Sequence, residues 1–94
     1  MEPITGILLA LGALVAVAIL KWDDIQNWMN ANKTSMHNIG AVLKTELSTG
    51  RVAVCSGVFS STGNLNSAIA WKPKQIEPEL DRMLKMDNMI EIKL

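Results

Sequence analysis

The residues best equipped for chemistry are few. The chain of 94 residues holds one histidine, His37, and one cysteine, Cys55. Proton transfer and nucleophile activation need groups that converge with matched pKa values. A lone imidazole in a polar stretch reads instead as a solvated loop histidine. One His and one Cys cannot build a zinc site within a chain, and no His, Cys, Asp or Glu cluster has ligand spacing. Cys55 closes the apolar run Val52-Ala53-Val54-Cys55, which suits a small buried hydrophobe and fits a reducing compartment or a protein interior. Ser60-Ser61-Thr62-Gly63-Asn64 supplies hydroxyls but lacks a phosphate-loop lysine, so it reads as a turn. Glu77, Glu79 and Asp81 gather where a helix should start, as the helix dipole favours. The sequence thus assigns no catalytic, cofactor-binding or metal-ligating residue, implies no cofactor and gives no sign of an enzyme.

Charge narrows the classes further. Nine basic and nine acidic residues give a formal net charge of zero, and no basic face invites nucleic acid. The one suggestive patch is Trp71-Lys72-Pro73-Lys74, two cations beside an aromatic, a pairing that suits an anionic lipid surface. Its alternative is a strand end with solvated lysines.

The elements that would position these groups begin with an apolar segment. Residues 3–20 carry no charge and include ten Ile, Leu and Val residues. As one helix the segment is about 27 Å long, against a hydrocarbon core of about 30 Å. A single-pass transmembrane helix is therefore expected, with Trp22 at the headgroup level. A cleaved secretory signal would begin with a basic region, and here Glu2 stands instead. A helix buried among identical helices is the other alternative. Lys21 and Lys33 follow the span and no Lys or Arg precedes it, which places the C-terminal part on the cytoplasmic side, or inside a virion membrane. Gly6, Ala10 and Ala13 would share one helical face, and Gly12 with Ala16 a second small-xxx-small pair, suited to close helix packing in lipid. Trp22, Ile25 and Met29 recur at helical spacing with Trp28 beside them. They extend the helix as an amphipathic segment lying at the membrane interface or on the protein's own domain.

The chain then divides into residues 1–31 as membrane helix with its extension, 32–38 as linker and 39–94 as a small α+β domain. Ser48-Thr49-Gly50 and Ser61-Thr62-Gly63 repeat the chemistry of a bulged hairpin turn. They join runs at 39–47, 51–60 and 65–71, which read as a three-strand antiparallel meander. The middle run, apolar on both faces, belongs at the centre. Met36, Ile39, Leu43 and Leu47 also fit a helical stripe, so 35–48 stays open between strand and helix. Pro73 should end the third strand. Ile76, Leu80, Met83 and Leu84 predict a helix with Pro78 in its first turn, and 89–94 alternates as a last strand.

The function class this implies is a non-enzymatic, membrane-anchored structural or assembly protein, a virion or membrane-complex subunit. Its partners would be the lipid bilayer and copies of itself or a larger complex. An apolar N-terminal helix ahead of a small β domain also resembles the general plan of pilin-like filament subunits. The acidic residue those proteins carry inside the helix is absent. A small membrane-active effector is the third class, although Thr5 alone supplies little polarity for a pore.

Overall fold

The computed structural model describes residues 3–86 and 89–94. In chain order the elements are α1 (Pro3–Leu8), a 3₁₀ turn (Leu9–Ala13), β1 (Leu14–Leu20), α2 (Trp22–Asn32), β2 (Ile39–Glu46), β3 (Val52–Phe59), β4 (Leu65–Ile76), α3 (Pro78–Met86) and β5 (Met89–Lys93). The five strands form one sheet in the order β1-β4-β3-β2-β5.

The expected transmembrane helix over 3–20 is not formed. That segment folds as six helical residues, five of 3₁₀ helix and a seven-residue strand. No helix among the described residues is long and apolar enough to cross a membrane. The fold class of a helix-anchored α+β domain is corrected to an α+β domain built on a mixed five-stranded sheet. The single-pass membrane location and the cytoplasmic orientation derived from it fall with the helix. Readings that need the intact helix, as an anchor or as a fibre core, lose their premise. The physical reason lies in β4. Val15, Val17 and Ile19 are β-branched, stiff at χ1 and suited to a pleated strand. β4 offers them a parallel ladder, Leu14 opposite Ala70 through Leu20 opposite Ile76.

β2, β3 and β4 make the antiparallel meander, which settles 35–48 as loop and strand rather than helix. Both connecting turns need a glycine: Gly50 and Gly63 sit at φ +82° and +88°. Gly50 N–H donates to Leu47 O and Leu47 N–H to Arg51 O, a pattern that Gly63, Ser60 and Asn64 repeat. β4 does not stop at Pro73 but runs to Ile76. Its pairing with β3 ends at Trp71, so beyond that point one side of the strand is unpaired and a missing N–H is tolerated.

Two apolar clusters cover the two faces of the sheet. On one, Ile25 and Met29 of α2 with Leu80 and Leu84 of α3 pack on Val42, Val54, Val58 and Trp71. On the other, Ile7 of α1 seals Ala41, Leu43, Cys55, Phe59 and Ala70. Of the two places open to this stripe, the membrane interface and the protein's own domain, it takes the domain: Ile25 and Met29 are fully buried. Trp28 meets Trp71 edge-to-face, ring centroids 6.0 Å apart and planes at 84°, which fastens α2 to the sheet.

Candidate interaction edge

Every strand of the sheet but two has a neighbour on both sides; the edges are β1 and β5. β5 is short and displays Glu91 and Lys93, the charged, abbreviated edge that resists further pairing. β1 is longer and holds no charged or polar side chain: Leu14-Val15-Ala16-Val17-Ala18-Ile19-Leu20. Five of its seven residues are exposed, among them Leu14 at 37%, Val15 at 43% and Ile19 at 50%. Leu9, in the adjoining 3₁₀ turn, adds a further exposed apolar side chain. A row of backbone donors and acceptors thus lies open beside an apolar strip, the arrangement that recruits another strand.

Neighbouring residues fasten one end of this edge. Leu20 is buried against α2 and α3. At the junction with α2, Leu20 O accepts from Glu77 N–H at 2.9 Å, and the Glu77 carboxylate accepts from Trp22 N–H at 3.2 Å. Glu77 therefore clamps the end of β1 to the start of α3, a role its reading as a helix-start acid did not reveal.

The small residues expected to form a helix-packing face are scattered instead. Gly6 is buried in α1, Ala10, Gly12 and Ala13 lie in the 3₁₀ turn, and Ala16 is on β1. Of the residues expected at a membrane interface, Trp22, Ile25, Trp28, Met29 and Trp71 belong to the helix-covered core. Lys72 and Lys74 alone stay outside it. With Arg51 they border a shallow hollow of about 280 Å³ floored by Ala16, Val17 and Ala18, so three cations stand next to the open strand.

The hydroxyl-bearing residues meet at the opposite end of the sheet. There an open hollow of about 730 Å³ lies between loop 35–38, turn 60–64 and the end of β5. Four of its polar residues, His37, Ser60, Thr62 and Asn64, are engaged in local hydrogen bonds. Thr34 Oγ1 accepts from the Met36 and His37 N–H groups and lies 2.9 Å from His37 Nδ1. Ser60 Oγ lies 2.9 Å from Thr62 Oγ1 and accepts from Asn64 N–H at 3.1 Å. These are turn-stabilising bonds, and they bring His37 onto Thr34 rather than onto Ser60. Among the described residues no group of three His, Cys, Asp or Glu is placed to hold a metal.

No family model, curated protein or solved structure matches this chain.

Proposed function

We propose that this protein is a non-enzymatic assembly module that works by strand addition: its β1 edge takes up a strand from another protein chain. The observation that carries this reading is the contrast between the two edges, one short and charged, the other seven residues long and wholly apolar. Main-chain hydrogen bonds supply affinity in this mode, and alternate side chains supply selectivity. The domain is built to keep such an edge straight and presented. β1 is laddered along its inner side to β4, and its end is fixed by the Glu77 clamp.

The test uses a soluble strand probe, the peptide Thr-Val-Thr-Val-Thr-Val-Thr, titrated into the labelled protein. Amide resonances of residues 14–20 are expected to shift, with those of α3 unmoved. Replacing Val15 and Ile19 together by Lys puts charge on the open edge and is expected to abolish the response while the circular dichroism spectrum is retained. Shifts confined to other regions, or equal binding by the double variant, would sink the reading.

A further inference from the structure

The sequence of the open strand reads nearly the same in both directions. Leu14 and Leu20 stand at its ends, Val15 and Ile19 next, Ala16 and Ala18 next, and Val17 at its centre. We infer that the partner of β1 is β1 of a second copy, paired antiparallel about a two-fold axis at Val17, so that two sheets join into one of ten strands. This rests on the strand-addition reading and specifies its partner.

Antiparallel pairing places opposite residues on the same face of the sheet. With Val17 opposite its own counterpart, Val15 faces Ile19 and Ala16 faces Ala18 of the second copy. Six β-branched side chains then form one continuous row, and four alanines form the row behind it. No other antiparallel register uses all seven residues; a shift of two sets Leu14 against Ala18. Cross-strand pairs of β-branched residues are favourable neighbours, and no like charges oppose one another within the strand. The half-exposed Val15 and Ile19 are the side chains such a row would cover.

The same geometry limits the assembly. A two-fold pairing uses one edge on both copies and closes on itself. The outer edges of the joined sheet are then the two β5 strands with Glu91 and Lys93, which oppose further growth. The cations beside β1 set a condition. The β4 backbones of the two copies would stand about 14 Å apart, three strand spacings, while Lys72, Lys74 and Arg51 border the hollow on β1 itself. Like charges therefore approach across the axis, and the dimer should tighten as salt rises and the Debye length falls below about 8 Å.

The experiment is sedimentation of the full chain in 0.15 M salt, joined to cysteine cross-linking under mild oxidation. A monomer–dimer equilibrium is expected. The Val17→Cys variant should form a disulfide with itself. The Val15→Cys variant should cross-link to Ile19→Cys at least about tenfold more than to itself, since a Cα separation above about 7 Å prevents bridging. The native thiol supplies the control: Cys55 is buried, so the parent chain should not cross-link. Efficient self-linking of Val15→Cys, or a chain that stays monomeric, would overturn the second-copy partner. A monomer that still binds the strand probe leaves strand addition standing; a monomer that ignores the probe removes both.

Discussion

Cys55 lies on the central strand with no exposed surface, among Ile7, Ala41, Leu43, Phe59 and Ala70. Burial pushes its thiol up to about 11 from an ordinary 9.0, because a thiolate would have to be charged in an apolar setting. Two outcomes are expected. A thiol reagent at pH 8 should leave the folded protein untouched and label it at once in denaturant. Stability should also fall as pH rises above 9 toward 11, since the unfolded chain releases this proton first. Rapid labelling of the native chain would refute the burial. Asp81 behaves in the opposite sense. The Lys85 ammonium 3.2 Å away holds its carboxyl below the usual range, helped by Lys44 at 3.4 Å. The stabilisation from these pairs is present above the ordinary carboxylate pKa and is lost as pH falls through the lowered one. Asp81→Asn is expected to reduce stability at pH 7 by about 0.5 kcal/mol, the size usual for such surface pairs. The gap to the parent in urea midpoint should close on acidification; a gap independent of pH would contradict it.

At the scale of elements, the turns were the most legible feature and β1 the least. Gly50 and Gly63 are readable because a bulged turn requires positive φ at one position, and the chain marks it with glycine twice. The amphipathic stripe of α2 is also visible in the sequence, which allows two covers for it, and the structure takes the second: Ile25 and Met29 face the protein's own sheet and not a lipid surface. β1 was hidden for two reasons. Its alternation sets Val and Ile against Ala, so hydropathy barely changes from face to face. Its ladder partner is also remote, residues 70–76, and no local pattern announces a non-local partner. The Glu77 clamp was missed for the same reason, being a contact between positions 55 residues apart. The cover on the second face makes a further prediction. A Cβ on Gly57 would stand 2.5 Å from Ile7 Cγ1, so α1 sits as close to β3 as it does because that residue is glycine. Gly57→Ala should cost about 1–3 kcal/mol by overpacking and should raise hydrogen exchange in residues 3–8. An unchanged urea midpoint with unchanged exchange would place α1 elsewhere.

The whole molecule joins its two chain halves through the sheet. β1 lies outside the meander, and β4 is its sole ladder partner among the described residues. That order has a temporal consequence during synthesis. Leu14 leaves the ribosome about 56 residues before Ala70, its register partner, a delay of about 3–11 s at 5–20 residues per second. Throughout that interval the apolar strand has neither its inner nor its outer neighbour. Nascent chains on one message would then offer each other the segment that the finished fold half conceals. Holding β1 until β4 arrives is thus a problem of timing, and this chain should depend on chaperone capture early in translation more than its small size suggests.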